Sequence, residues 1–465
     1  MKGFVLLIAL LGAGKLWAQH DEPASDTIAV KADTLSLLQA FKKGTIHGHA
    51  RYFFMSTQNR NELTDYYANA AGGGLKYESA PFRGFQVGVS GFFIYNVGSS
   101  DLSKTDPLSG QRNRYEIGLF DMEDPHNKTD IDRLEELYIR YRRGKGSVTF
   151  GKQLIHTPFI NPQDTRMRPT ETEGVYGRVE AGEQLQLEGG WIYRFSPRST
   201  VRWYSVAQSI GVNTQGVNPD GSPADYAGHV ETRGVALLGV TWKPSEGVQL
   251  KVFEQVTENV FHTSLVQAGF EKKAGARKWL GAVQYIRQEA LGNGGNADSA
   301  RAYFSKDNKV NIAGARAGLA WGAWETTVNY TRIFRGGRFT MPREWGTEPL
   351  FTYLSRERNE GLGDVNAFSA TVKNKLLKQR LRWEAGYGHY YLPDVNNAAL
   401  NKYGLPSYRH LKLRGDYAFG GLLKGLELAL LFVYKDAIGD GGKDSRYRIN
   451  KVDMASYNLI LNYNF

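Results

Sequence analysis

The chain has 465 residues, with 53 Gly against 15 Pro, 12% aromatic residues and a formal net charge of +11. That mix of strand and turn formers argues for one large β architecture, and no window approaches the ~20 apolar residues of a membrane-spanning helix, which excludes a helical membrane protein. Without cysteine there can be no disulfide, thiolate metal site, iron–sulfur cluster, cysteine nucleophile or lipid-modified Cys anchor.

The first element in chain order is a targeting signal. Lys2, the apolar stretch Gly3–Gly14, then Leu16, Trp17 and Ala18 ahead of the polar segment Gln19–Pro23 follow the three-part pattern of a secretory signal peptide, assigned to residues 1–18. An uncleaved anchor would need an apolar core much longer than these 12 residues. Cleavage removes Lys2 and Lys15 and no acid, leaving +9. An excess of positive charge would suit nucleic acid, acidic solutes or anionic membrane surfaces, and export argues against nucleic acid as a partner. Residues 19–43 read as a short periplasmic segment whose Asp33–Lys43 stretch predicts an amphipathic helix, with Asp33 as N-cap and Leu35, Leu38 and Phe41 at helical spacing.

From residue 44 to 465 period-two alternation takes over. One face collects Ile46, Gly48, Ala50, Tyr52 and Phe54, and the other His47, His49 and Arg51. The same pattern recurs in Phe85–Tyr95, Leu137–Tyr141, Leu381–Tyr387 and Leu426–Tyr434, giving about eighteen segments of roughly ten residues, the length of a tilted transmembrane strand. Connections alternate in length. Short turns near Ala80–Gly84, Arg143–Gly146, Gly182–Gln184, Lys243–Gly247, Lys272–Arg277, Trp321–Ala323, Leu376–Gln379 and Gly420–Gly425 are separated by long polar loops, except at Thr257–Asn259. The long loops include Gly98–Asp132, Leu154–Glu173, Ser196–Glu231 and Arg335–Gly363. This is the asymmetry of an outer-membrane barrel of 18 antiparallel strands, with both chain ends on the short-turn side.

A soluble β-sandwich also alternates in period two but predicts no regular short–long alternation of its turns. Tyr and Trp gather near strand ends, as in Tyr52, Tyr95, Tyr141, Trp191, Trp242, Tyr330 and Trp383, which suits interfacial girdles. The last nine residues place Tyr457, Leu459, Leu461, Tyr463 and Phe465 in alternation, and they resemble the C-terminal signature by which barrels are recognised by the insertion machinery. Outer-membrane lipid, lipopolysaccharide and that machinery are the expected partners.

The segments Asp65–Glu78, Gly151–Leu154 and Thr157–Gly174, above all Asp164-Thr-Arg-Met-Arg-Pro-Thr-Glu-Thr-Glu-Gly174, resemble OprD-type porins. The resemblance implies an 18-strand channel, a third external loop folded inward to narrow the pore, a basic ladder along one wall, and passive uptake of small, often carboxylate-bearing solutes. In the registers above, His47, His49, Arg51, Tyr138, Arg140, Arg142, Arg178, Arg194, Arg316, Arg380, Arg382 and Arg414 lie opposite the apolar stripe. An arginine turned to lipid near the midplane costs about 2–4 kcal/mol, so that face should look into a wet lumen. A guanidinium row pre-arranges sites for carboxylates, although individual arginines can equally be structural partners of Glu180, Glu188, Glu384 and Asp416. The constriction loop Leu154–Glu173 supplies Asp164, Arg166, Arg168, Glu171 and Glu173, and its acids would oppose the arginine wall to set up a transverse field.

Enzymatic motifs are lacking. His47 and His49 form a metal pair without a third ligand in view, Asp121–Asp132 lacks the Gly and terminal Glu of a calcium loop, and Gly442-Lys443 has no upstream phosphate-loop glycine. Gly72-Gly-Gly74 inside a strand pattern suggests close backbone packing. The sequence therefore predicts a porin with no cofactor, metal or catalytic residue. The second reading is an occluded barrel acting as an adhesin through loops such as Ser196–Glu231 and Arg335–Gly363. A TonB-dependent transporter would need a much longer chain. Oligomeric state stays open between monomer and loose trimer.

Overall fold

A computed structural model describes residues 36–60, 62–163, 165–213, 215–439 and 444–465. The signal-peptide assignment, Asp33, Leu35 and Asp164 lie outside these residues. The helix α1 spans Leu37–Lys42, and its N-cap is Ser36, whose side chain accepts from Gln39 N while the Gln39 side chain accepts from Ser36 N. Ala40 is buried, whereas Leu37, Leu38 and Phe41 are exposed. None of the described helices is long and apolar enough to cross a membrane.

The strands are β1 Thr45–Asn59, β2 Tyr66–Glu78, β3 Phe85–Ser99, β4 Ile131–Arg143, β5 Gly146–Gln153, β6 Glu171–Ala181, β7 Leu185–Ser196, β8 Tyr204–Ser205, β9 Val235–Ser245 and β10 Val248–Thr257. They continue with β11 Phe261–Ala274, β12 Arg277–Ala290, β13 Lys309–Trp321, β14 Trp324–Ile333, β15 Val365–Leu376, β16 Leu381–Tyr391, β17 Tyr408–Ala418, β18 Leu426–Ala437 and β19 Met454–Asn464. All belong to one antiparallel sheet, and β1 pairs with β19 from His49↔Asn464 to Asn59↔Met454, closing the barrel. The two-residue β8 only extends the loop end of β7, so 18 strands form the wall. Closure leaves no sheet edge to satisfy, the condition for a sheet to live in lipid.

Outward-facing Leu137, Ile139, Phe150, Trp191, Leu238, Val252, Val266, Val283, Val328 and Leu430 are exposed and form the apolar band. Alternate residues face the lumen. In β19, Asn458 and Asn462 are buried inside while Tyr457, Leu459, Leu461, Tyr463 and Phe465 take the outer face, with the Phe465 N–H donating to Gly48 O at 3.0 Å. The connections at one rim are short, such as 144–145 and 322–323; those at the other are L1 60–65, L2 100–130, L3 154–170, L4 197–234, L5 258–260, L6 291–308, L7 334–364, L8 392–407 and L9 438–453.

The loop half of the lumen is not empty. Apolar residues of L2, L3, L4, L6 and L7 pack on the inner wall, with Trp345 stacked on Phe195 at 4.7 Å and Phe53, Met55, Phe92, Tyr115, Phe120 and Met167 forming a second cluster.

The triple glycine of β2 is a site of close approach, since a Cβ at Gly74 would lie 2.3 Å from Gly91 O and one at Gly72 2.5 Å from Phe93 O. Gly74→Val is therefore expected to destabilise the barrel by about 1–3 kcal/mol, read as a lowered urea midpoint of the lipid-refolded protein. An unchanged midpoint would show that β2 and β3 can separate freely.

Candidate pore constriction

L3 follows directly on β5, near whose end Gly151 takes a φ of +114° that suits glycine and would place a Cβ 2.3 Å from Leu137 O. The chain then reaches from β5 to β1. There Arg51, only 5% exposed, donates from Nη1 to Arg166 O at 2.7 Å and Met167 O at 3.2 Å, while its Nε–H donates to Asn462 Oδ1 at 2.7 Å. Arg168 donates to both carboxylate oxygens of Glu135 and lies over the Phe92 ring at 4.2 Å.

Glu135 is placed there by a bulge. Glu135 and Glu136 together oppose Ser90 alone, so both turn inward and are buried, Glu136 meeting Lys76 at 2.9 Å.

L7 is the second inward loop, and this corrects the expectation that Arg335–Gly363 offers an external binding surface. Its Glu357 receives Lys435 Nζ from β18 at 3.0 Å and Arg114 Nη2 from L2 at 3.1 Å. Its Phe351 lies under Arg316 of β13, which also donates Nε–H to Asn329 Oδ1 at 2.6 Å. L3 and L7 are tied directly, because Asn161 N donates to Trp345 O at 3.0 Å and Thr347 N to Asn161 Oδ1 at 3.0 Å. The neighbouring loop charges feel this packing. The Arg114 and Lys435 cations hold the Glu357 carboxyl well below the usual carboxylate range against the cost of burial, whereas burial pushes Glu116 and Glu348 up.

The space left between these loops and the wall is a cavity of about 1120 Å³. It runs from Val217, Arg446 and Lys451 in the long loops, past Arg51, Arg166, Arg198, Arg356 and Arg358, to Lys373, Arg382, Trp383, Arg414 and Glu427 near the short-turn rim.

The arginines expected along the wall therefore divide. Arg51, Arg382 and Arg414 line the cavity, Arg414 making two contacts to Asp416 of 2.7 and 2.8 Å. Arg140 packs over Tyr138 at 4.5 Å and donates to Thr149 Oγ1, and Arg178 meets Glu188 at 3.3 Å; these two, with Arg142 and Arg316, stand away from the cavity lining. Arg380 is exposed in the turn between β15 and β16.

Arg194 does not face the lumen. The extra residue Tyr193 bulges β7 between Glu173↔Arg194 and Gly174↔Ile192, so the alternation slips by one and Arg194 turns to the face carrying Trp191 and Leu137. Glu173 shares that outer face, held by Lys152 at 2.6 Å, with Lys152 in turn 3.6 Å from the Trp203 ring. Glu171 is buried beside Glu135 and Arg133 rather than along the cavity. Neither described acid of the expected opposing set, Glu171 or Glu173, thus lines the cavity.

Sequence reasoning missed Arg198, Arg343, Arg356 and Arg358, which lie in loops where face periodicity says nothing. The dense run Arg356-Glu-Arg-Asn-Glu360 within a long loop was the available signal. Among the described residues no group of three or more His, Asp or Glu could hold a metal, and His49 contacts Arg168 and Asn462.

Solved structures with the same architecture include OccK9 (OpdG) of Pseudomonas aeruginosa, at a TM-score of 0.71 and 14% identity, covering 92% of this chain and 99% of that one. OpdK of the same organism, determined with vanillate, gives 0.68 at 14% identity over 91% and 99%. OccAB2 of Acinetobacter baumannii gives 0.69 at 13% identity over 92% and 99%. At these identities the likeness is one of fold. No curated protein sequence matches the chain. The sequence pattern described as outer membrane porin, OprD family, matches residues 41–345. With that match over more than half its length, on a closed 18-strand barrel narrowed by an inward third loop, the chain belongs to the OprD family of outer membrane porins.

Proposed function

We propose that the protein is a passive diffusion channel for small anionic, carboxylate-bearing solutes, filtered where L3 and L7 narrow an arginine-lined lumen. Residues 1–18 act as the export signal and 19–43 as a periplasmic segment. The observation that supports this reading is the cavity that runs between the two rims with guanidinium groups along its length and most lumenal carboxylates already engaged, Glu384 by Lys412 at 2.9 Å and Asp416 by Arg414. Filtering then rests on charge and width, with no catalytic step. An adhesin reading loses ground because L7, one of the two loops that motivated it, is folded into the barrel.

The test is single-channel current of the refolded mature chain in a planar bilayer under a salt gradient. Discrete steps with a reversal potential displaced toward anions are expected; a folded, heat-modifiable barrel that passes no current would overturn the reading.

The preference should also titrate. Lys451 lines the outer mouth, where burial and the Arg114 guanidinium push it down to about 7, and burial pushes Lys402 beside it to about 8. Both groups are charged below these values and neutral above them. Anion preference should accordingly fall as pH rises through 7 to 8, and Lys451→Met should flatten the lower part of that curve. A reversal potential independent of pH would refute the role of these lysines.

A further inference from the structure

Three guanidinium groups from three different loops meet at one residue of L3. Arg166 donates from Nη1 to Thr165 O at 2.8 Å, Arg356 of L7 donates to the same oxygen at 3.4 Å, and Arg198 of L4 donates to the Thr165 hydroxyl. Arg358 stands behind them, and its charge acts on Arg198. All four line the cavity. Nothing in the wall registers explains this gathering.

Among the described residues the cluster is short of negative charge. None of the four forms an ion pair with a carboxylate among the described residues. The acids nearest them are engaged elsewhere: Glu116 accepts from Thr57 and Asn113, Glu360 from Arg343 and Tyr403, and Glu348 from Asn359 and the Glu360 N–H. The Nε–H groups of Arg166 and Arg356 are buried and meet no hydrogen-bond acceptor there. Burial and neighbouring arginines hold Arg166 well below the ordinary arginine value and Arg198 at about 9. A guanidinium nonetheless stays protonated in proteins, so these are standing positive charges crowded into a partly dry space.

A monocarboxylate offers two oxygens in one plane and satisfies a single guanidinium fork. A second anionic group on the same solute, or the further oxygens of a phosphate, would engage a second fork and cancel a second charge. A zwitterion would bring an ammonium into the same cluster and be repelled. We infer that the Arg166–Arg198–Arg356 cluster around Thr165 is a subsite for solutes bearing two or more negative charges, so that the channel discriminates by anion valence; this rests on the porin reading above.

The experiment is current block in the refolded mature chain at low salt and near-neutral pH, with acetate, succinate, inorganic phosphate and glycine as probes. Succinate or phosphate is expected to half-block chloride current at a concentration about tenfold or more below that of acetate, with glycine weakest, because each fully desolvated charge-assisted contact is worth at least that factor. The succinate and phosphate arms separate two spaced carboxylates from one compact dianion. Arg198→Gln and Arg356→Gln should bring the ratio to acetate toward one while leaving open-channel steps in place, and Arg356→Lys should retain part of it. Equal block by acetate and by both dianions in a conducting wild-type channel would overturn the valence subsite and leave the porin reading standing. A ratio unaltered in conducting Arg198→Gln and Arg356→Gln channels would overturn the residue assignment. A folded wild-type barrel without current would overturn the porin reading itself.

Discussion

Glu357→Gln is expected to lower barrel stability by about 3–5 kcal/mol, because it strands a buried cation inside the wall. The Glu357 side chain is 1% exposed and Lys435 is 0% exposed, and they meet at 3.0 Å, with the Tyr115 hydroxyl accepting a further Lys435 proton at 2.9 Å. The Lys435 ammonium is fully shielded, so solvation is poorly placed to replace the lost carboxylate. Urea titration of the refolded protein in lipid should show the drop, and Glu357→Gln/Lys435→Met should recover most of it, since an apolar pair removes the uncompensated charge. A small loss in the single variant would mean that Tyr115 and Arg114 rearrange to absorb it. The pH dependence has a definite sign. The Glu357 carboxyl is depressed in the folded state, so its contribution is complete above the unfolded carboxylate value of about 4.3 and is lost only as pH falls through the depressed one. Anchoring of L7 should therefore persist in acid well below pH ~4.

The second large effect concerns conductance. Replacing residues 343–360 of L7 with a short Gly/Ser linker is expected to raise single-channel conductance severalfold and to weaken anion preference together. The excised stretch removes Trp345 and Phe351, which fill the inner wall, and Arg343, Arg356 and Arg358, which line the cavity, whereas of its four acids Glu344, Glu348 and Glu360 stand off the lining and Glu357 neutralises Lys435, so Lys435→Met is made in the same variant. Loop closure itself is inexpensive, since the entropic cost changes slowly with length. Wider steps with unchanged selectivity would shift the filter to L3 and the wall, and steps of unchanged size would remove L7 from the constriction.

The wall was readable in the sequence because lipid imposes one rule on every outward position, which makes period two visible without knowledge of partners. Phe85, Val89, Phe93 and Tyr95 could be assigned to one face from that rule alone, and the short turns fell where Gly144, Gly182 and Gly322 take positive φ. Bulges break the rule silently. At Tyr193 the extra residue turned Arg194 outward, and at Glu135–Glu136 it brought two acids inward; a glycine lies beside each slip only on the facing strand, Gly174 and Gly91, and none stands in the bulged segment itself. The filter was less legible than the wall. L3 was signalled by resemblance, but the inward path of L7 depends on contacts such as Trp345 on Phe195 and Glu357 on Lys435 that join distant parts of the chain. The helix start illustrates a smaller miss of the same kind, since the cap at Ser36 is set by a reciprocal bond with Gln39 that spacing of apolar residues does not report.

The lengthwise distribution of charge in the cavity has an electrical consequence. Toward the loop rim stand Arg166, Arg198, Arg356 and Arg358 without carboxylate partners among the described residues, while toward the short-turn rim Arg414 is matched by Asp416, Lys412 by Glu384, and Glu427 adds a further acid. Such a lumen is expected to rectify current. Anions entering from the loop side are concentrated before the narrow segment, and those entering from the other side are not, so current at equal and opposite voltages should differ. The sense of that asymmetry would reveal from a single trace which way each molecule has inserted.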